Sequence, residues 1–271
     1  MQQVKGTTSV VNTVKSKDGT KIAYERRGQG PALILVDGAL CYRSFGPMGH
    51  LSELLSPHFS VINYDRRGRG ESGDTLPYSV DREIEDIEAL IEEVGGKAFV
   101  FGTSSGGCLA LEAAIKLGNK IKKLAMYEPP YNNDPAARNG LKEYGKQLGE
   151  ALAANRRGDA VVLFMKVVGS PDEAIQGMRQ APMWPLFESV APTLAYDNAT
   201  LGEDGAVPTN RASKVEIPTL VLNGTVIPFM RGSAETLAKA IPHGQHRTLE
   251  GQSHDVNLEV LTPILFEWFS A

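Results

Sequence analysis

The stretch "VFGTSSGG", residues 100–107, decides the fold of this 271-residue chain. It joins an apolar run to an Ala- and Leu-rich helical segment through Gly102-Thr-Ser104-Ser-Gly106, the one Gly-x-Ser-x-Gly pattern in the sequence. A strand, a sharp turn and a helix in this order lift a serine hydroxyl above the edge of a sheet. The flanking glycines are needed because such a turn is strained and because helix and strand approach closely there. The competing interpretation is a glycine-rich turn with an idle serine, since short patterns also arise by chance.

Apolar runs on both sides of this turn indicate a mostly parallel sheet. Runs of this kind suit strands that helices cover on both faces. They occupy residues 31–36, 59–64, 98–102, 122–127 and 219–223, with a shorter run at 246–250 and a hairpin before them at 9–27. Helical spacing of apolar residues in 81–94 and 105–117 supplies covering helices. The sum is a doubly wound α/β domain.

The alternation of strands and helices is interrupted after Tyr127. Residues 129–212 contain short helical stretches and no clear strand, and the alternation then resumes with "TLVLN" at 219–223. We therefore expect a helical lid insertion at 129–212 in an α/β core made of residues 1–128 and 213–271.

Composition and charge argue against several classes of function. The 28 Lys and Arg residues against 32 Asp and Glu leave a net charge of −4, with no general attraction to nucleic acid or anionic membranes. No run reaches the roughly 18 apolar residues of a membrane span, and the N-terminus lacks a signal-peptide core. Cys41 and Cys108 form neither a Cys-x-x-Cys motif nor a disulfide framework. These features predict a cytoplasmic protein with a small-molecule partner, and they leave the oligomeric state open.

Four motifs together resemble those of the α/β-hydrolase fold family. They are "LILVDGAL" at 33–40, "YDRRGRGESG" at 64–73, "GTSSGG" at 102–107 and "LEGQSHDV" at 249–256. The resemblance covers nearly the whole chain and implies an eight-stranded, mostly parallel sheet. It also implies a serine nucleophile, Ser104, and a general base, His254, on a loop after the last strand. Of the five histidines, His254 alone combines a loop after a strand with the chain order serine, acid, histidine.

The acid of this triad is not where most members of the family carry it. It usually follows the strand that is "TLVLN" here, yet "NGTVIPFM" at 223–230 contains no carboxylate. Some branches of the family, among them haloalkane dehalogenases and zearalenone-type lactonases, place it one strand earlier, where this chain has Glu128 followed by two prolines. Glu128 is therefore the predicted acid. The alternatives are a broken triad or one of three weaker candidates, Asp255, Glu250 and Asp197.

The loop after the strand at 31–36 also departs from the family pattern. It has Asp37 where a histidine is common, and Gly38 keeps the tight backbone. The backbone N–H groups of Ala39 and Ser105 are the predicted oxyanion donors. An ionised Asp37 beside them would oppose an oxyanion, so we expect its side chain to be turned away and hydrogen-bonded.

Two further patterns have competing interpretations. "GRGESG" at 68–73 is formally the Gly-x-Gly-x-x-Gly of dinucleotide-binding proteins, but it does not run directly into a helix and it does not lie in a first βα unit. The arginines of "RRGR" at 66–69 predict a solvated or salt-bridged corner rather than an RNA contact.

The sequence therefore predicts a cofactor-independent, metal-free serine hydrolase that cleaves an apolar carboxylic ester or lactone through an acyl-enzyme. Apolar side chains of the insertion are predicted to bind the substrate or, equally, to pack its own core: Met165, Met183, Trp184 and Phe187. C–C bond hydrolysis or perhydrolysis on the same triad, and a non-catalytic binding protein, remain as alternatives.

Overall fold

The computed structural model describes residues 10–271 and contains one eight-stranded sheet. The strands are β1 (Val11–Lys15), β2 (Lys21–Arg27), β3 (Ala32–Val36), β4 (Ser60–Tyr64), β5 (Ala98–Thr103), β6 (Ile121–Tyr127), β7 (Thr219–Gly224) and β8 (Gly244–Leu249). Their order across the sheet is β1-β2-β4-β3-β5-β6-β7-β8. The pairs β1·β2 and β2·β4 are antiparallel and all others are parallel. The predicted doubly wound, mostly parallel sheet is confirmed.

The parallel strands place their carboxyl ends along one edge of the sheet. In open α/β sheets this edge is where ligands bind. The residues that follow β3, β5, β6 and β8 are Asp37, Ser104, Glu128 and the loop that carries His254. The fold therefore brings the motifs of the sequence to a common edge.

Helices cover both faces of the sheet because the central strands are apolar on both sides. They are α1 (Met48–Leu55), α2 (Val80–Glu93), α3 (Ser105–Leu117), α10 (Pro228–Ala240) and α11 (Leu258–Ser270). On β3, Ile34 and Val36 pack in the cluster that contains α2, α3 and α10, whereas Leu33 and Leu35 pack with α1 and α11. This alternation is the period of two expected of a strand.

Six α-helices, one short 3-10 helix (Ala191–Thr193) and no strand lie between β6 and β7. The α-helices are α4 (Pro135–Ala153), α5 (Arg157–Val167), α6 (Asp172–Arg179), α7 (Trp184–Val190), α8 (Leu194–Thr200) and α9 (Thr209–Ala212). Helices α4, α5, α7 and α8 share an apolar cluster of their own, which includes Leu148, Val161 and Trp184. The secondary-structure elements within residues 129–212 are thus all helices, as the sequence pattern indicated.

Helix α1 is an element that the sequence analysis did not predict. It is only eight residues long, and Met48, Leu51 and Leu55 are buried against β3 and α11. Short helices carry too few turns for a clear periodic signal. Contact with α11, some 200 residues away along the chain, stabilises it instead.

Close packing at the turn after β5 gives a stability prediction with a matched control. A Cβ added to Gly106 in α3 would lie 2.3 Å from the carbonyl oxygen of Val36 and 2.5 Å from that of Asp37. We expect Gly106→Ala to lower the free energy of unfolding by about 3 kcal/mol or more, because backbone atoms cannot move aside cheaply. Gly149→Ala, in α4 with nothing within 4 Å, should instead raise it by about 0.5–1 kcal/mol. Urea unfolding of both variants measures this, and equal effects would contradict it.

Candidate active site

Ser104 lies in the sharp turn between β5 and α3 with a strained backbone. Its φ of 54° and ψ of −131° fall in a region that residues with a side chain rarely adopt. The turn is held because the Ser104 N–H donates to the carbonyl of Tyr127 at 2.9 Å, while the Gly107 N–H donates to the carbonyl of Ser104 at 2.9 Å. Added Cβ atoms at Gly102 or Gly106 would meet backbone at 2.4 Å or less. Neighbouring backbone thus leaves no room for a side chain at Gly102 or Gly106.

Glu128 and His254 form a hydrogen-bonded pair. Oε2 of Glu128 lies 2.8 Å from Nδ1 of His254, and Oε1 accepts a hydrogen bond from the Gly224 N–H at 2.8 Å. The carboxylate side chain is fully buried, whereas the imidazole is 36% exposed. Glu128 also has a positive φ, 45°, which turns its side chain across the ends of the strands. A buried carboxylate on Nδ1 fixes the ring orientation and leaves Nε2 free.

The turn after β7 supports the histidine loop although it supplies no acid. The N–H groups of Thr225 and Val226 both donate to the carbonyl of Gln252, at 3.0 and 3.1 Å. The Tyr127 hydroxyl donates to the carbonyl of Ser253. The position of His254 is therefore set from both β6 and β7.

The predicted oxyanion donors flank Ser104. A Cβ built on Gly38 would lie 3.1 Å from Cβ of Ser104, so the loop after β3 passes directly beside the serine. Within residues 10–271 the N–H groups of Ala39 and Ser105 have no hydrogen-bond partner. Ser105 is the first residue of α3, where the helix dipole favours negative charge. Two unpaired N–H groups near one hydroxyl are the arrangement that an oxyanion requires.

Asp37 is buried behind this loop. Its Oδ1 accepts a hydrogen bond from the Gly38 N–H at 2.8 Å, and Oδ2 has no partner among the described residues. Burial raises the pKa of Asp37 to about 7, although the Gly38 N–H and the charges of Arg69 and Arg66 act in the opposite direction. Below a pH of about 7 the Asp37 carboxyl is therefore mostly neutral and does not oppose an oxyanion.

The arginine corner is salt-bridged but not solvated. Arg66, Arg67 and Arg69 are each 1% exposed or less. Arg67 binds Asp86 with two hydrogen bonds of 2.8 and 2.7 Å, while Arg66 and Arg69 bind Asp197 of α8. The solvated alternative is thus wrong, because buried carboxylates from distant elements neutralise each arginine, which no local pattern reveals.

A cavity of about 700 Å³ opens beside Ser104 and His254. Ser104, His254, Ala39 and Ser105 all line it. No hydrogen bond joins Oγ of Ser104 to the ring of His254 in the part of the chain that the structure describes; such bonds commonly tighten only with substrate bound. The remaining wall is largely apolar and includes Met48, Leu51, Phe101, Leu141, Phe164, Val167, Val168, Ile227, Phe229, Met230 and Leu261.

The four side chains predicted to bind substrate lie elsewhere, and none of them lines this cavity. Trp184 is buried and, with Met165 and Phe187, packs in the cluster of the helical segment, while Met183 is 40% exposed. The wall is formed instead by Phe164, Val167 and Val168, which share one face of α5 and its C-terminal end. Only Met165 of the four lies on a helix that contributes to the wall. The apolar residues of α5 surround that helix, so no strong periodic signal marks the face that meets the cavity.

Residues 10–271 carry neither a metal-site signature nor a membrane-span signature. In that range no group of three His, Cys, Asp or Glu residues is arranged to hold a metal ion. The same range contains no helix with the length and hydropathy needed to cross a bilayer.

Comparison with known proteins supports the fold and the family. A family model described as "Alpha/beta hydrolase family" matches residues 23–262. The crystal structure of an alpha/beta hydrolase from Sphaerobacter thermophilus DSM 20745 is 48% identical, with a TM-score of 0.85 over 95% of this chain and all of that one. A thermophilic esterase from Thermogutta terrifontis has a TM-score of 0.68 at 23% identity, over 97% of this chain and 98% of that one. At that identity the likeness shows the fold alone.

Curated relatives match over a shorter range. The "Uncharacterized hydrolase YraK" of Bacillus subtilis (strain 168) is 29% identical over 153 residues, which is 55% of this chain and 55% of that protein. The chain thus spans about half the length, or less, of the curated relatives it matches.

Proposed function

The chain belongs to the alpha/beta hydrolase family, and from that premise we propose that it is a serine hydrolase that cleaves a carboxylic ester or lactone through an acyl-enzyme. The observation that carries the proposal is the 2.8 Å contact between Glu128 and His254, at the edge of a cavity that Ser104 also lines. A buried carboxylate, an imidazole and a serine on a strained turn are the parts that nucleophilic acyl transfer needs.

Each residue has a defined role in the proposed reaction. Oγ of Ser104 attacks the acyl carbon, and Nε2 of His254 takes the proton and then returns it to the leaving oxygen. Glu128 holds the tautomer with Nδ1 protonated and stabilises the charged ring. The N–H groups of Ala39 and Ser105 bind the oxyanion of the tetrahedral intermediate. Water then attacks the acyl-enzyme, with His254 as base, and releases the acid.

The cavity wall supports an apolar substrate. Most of its side chains are aliphatic or aromatic. The polar ones besides those of the triad and the oxyanion loop include Asn132, Ser170, Asn198, Asp204 and Asp255. Helices α4 and α5 contribute Leu141, Tyr144 and Phe164. In this proposal residues 129–212 form the lid over the acyl or ring group of a small molecule.

Covalent labelling with a fluorophosphonate tests the proposal. We expect one phosphonyl group per chain, located on Ser104 by peptide mass spectrometry, because an activated serine attacks phosphorus as it attacks an acyl carbon. Prior denaturation should abolish labelling, since the reactivity depends on His254 and Glu128. Absence of labelling on the folded protein, with no turnover of p-nitrophenyl butyrate, would favour a non-catalytic binding protein.

A further inference from the structure

One buried carboxylate, that of Asp197, is hydrogen-bonded to Ser105 and, through arginine, to the loop that contains Ala39. The hydroxyl of Ser105 donates to Oδ1 of Asp197 at 2.7 Å. Nη2 of Arg69 donates to Oδ1 and Oδ2 of the same Asp197, at 2.8 and 2.7 Å. Asp197 lies on α8, in the helical segment between β6 and β7, and it is only 4% exposed.

The arginines that bind Asp197 also hold the loop after β3 by its carbonyl oxygens. Nη1 of Arg69 donates to the carbonyls of Gly38 at 2.6 Å and Cys41 at 3.1 Å, on either side of Ala39. Nη1 of Arg66 donates to the carbonyl of Asp37 at 3.3 Å and to Oδ1 of Asp197 at 2.7 Å. Each carbonyl that is fixed in this way fixes the orientation of the next peptide N–H, because the peptide unit is planar.

Charge in this network is balanced without solvent. Arg66 pairs with Glu83 as well as Asp197, so two arginines face two carboxylates. Burial alone would raise the pKa of Asp197, yet the charges of Arg69 and Arg66 hold it below its ordinary value. In such a low-dielectric setting, the loss of one partner leaves an uncompensated charge. The geometry of the network is therefore strongly constrained.

Helix α8 is itself fixed to the core. The Tyr196 hydroxyl donates to Asp74 at 2.6 Å, and its ring stacks on Tyr78 with centroids 3.7 Å apart. This part of the helical segment is thus anchored next to the site.

We propose that Asp197, acting through Arg69, Arg66 and the Ser105 hydroxyl, is the positioning residue that sets both oxyanion N–H groups. The inference rests on the proposed function, because it assigns a role in the same reaction. It assigns the helical segment a part in catalysis besides covering the cavity: α8 supplies the carboxylate on which the oxyanion loop is built.

The test compares two arginines of the same turn. Arg69 and Arg67 are both buried, and each binds one aspartate, Asp197 or Asp86, through two hydrogen bonds; Arg67 also binds Asp18 at 3.0 Å. Arg67 donates to the Arg82 carbonyl, whereas Arg69 donates to the oxyanion loop. Lysine at either position has no forked guanidinium that can donate several hydrogen bonds in a fixed geometry. We therefore expect Arg69→Lys and Arg67→Lys to lower the free energy of unfolding by similar amounts. Only Arg69→Lys should lower kcat for p-nitrophenyl butyrate, by about 10- to 100-fold with KM nearly unchanged.

An alkyl boronic acid gives a readout that a purely structural role would not move. Its tetrahedral adduct on Ser104 occupies the oxyanion site, so its affinity should fall in parallel with kcat/KM in Arg69→Lys and stay constant in Arg67→Lys. Equal losses of kcat in the two variants would overturn the proposal. So would an unchanged kcat in Arg69→Lys.

Ser105→Ala supplies a second test that leaves both arginines in place. It keeps the Ser105 N–H but removes the hydrogen bond to Asp197, and we expect kcat to fall about tenfold. Ser105→Thr, which keeps a hydroxyl, should retain most of the activity. If Arg69→Lys does not fold, an unchanged kcat in Ser105→Ala overturns the proposal by itself. Fluorophosphonate labelling of Ser104 in the unmodified protein shows independently whether the proposed function stands.

Discussion

Ser104→Ala is expected to lower kcat for p-nitrophenyl esters by about 10⁶-fold, the largest effect of any substitution in this chain. The alanine removes the attacking oxygen, so no acyl-enzyme forms and the initial burst of p-nitrophenolate disappears. KM should change little, because the cavity wall and the N–H groups of Ala39 and Ser105 remain in place. Those groups should leave a residual rate about 10³-fold above that of water. Stopped-flow absorbance measures both phases.

The neighbouring serine is the control for this prediction. Ser105 is the residue next to Ser104, but its hydroxyl already donates a hydrogen bond to Asp197. Ser105→Ala should retain the burst with an amplitude of one per chain. A protein in which Ser104→Ala keeps its burst while Ser105→Ala loses it would contradict the assignment of the nucleophile.

Local sequence patterns were sufficient to predict the sheet and the turn that carries Ser104. Residues 31–36 and 98–102 are continuous apolar runs, and runs of that length have few structural solutions next to amphipathic helices. Gly106 likewise has no alternative, because the carbonyl of Val36 lies where its side chain would be. In these places the local preference and the global fold agree, as expected of a foldable sequence.

Local sequence patterns could not predict which face of a helix lines the cavity or which residue pairs with a buried charge. Met165 and Phe164 are adjacent on α5, and only the packing of α5 against the neighbouring helices α4, α6 and α7 decides that Phe164 lines the cavity. Asp197 follows Arg69 by 128 residues, so its contact is a product of tertiary structure. The resemblance to a known family pointed to Glu128 because that position follows a strand and precedes two prolines.

Glu128→Gln is expected to lower kcat by about 10⁴-fold with little change in KM or in the fold. The reason lies in the Gly224 N–H, which donates to Oε1 at 2.8 Å. A glutamine keeps that contact only if its amide oxygen faces Gly224, and its NH₂ group then faces Nδ1 of His254. Nδ1 must then accept a hydrogen bond, so the single proton of the neutral ring lies on Nε2. With Nε2 protonated, the ring can no longer take the proton of Ser104.

The other acid candidates serve as controls for this prediction. Asp255 adjoins the histidine and Glu250 directly follows β8, yet His254 binds neither of them in the described structure. Asp255→Asn and Glu250→Gln should therefore keep kcat within about threefold, the usual range for exposed substitutions. Steady-state kinetics on all three variants, with melting temperatures to confirm folding, would decide among the carboxylates. If Asp255→Asn lost activity while Glu128→Gln kept it, the acid would lie on the histidine loop. If Glu128→Gln alone is inactive, the acid follows β6 rather than β7. The end of β7 then serves to hold that acid, through the hydrogen bond from the Gly224 N–H.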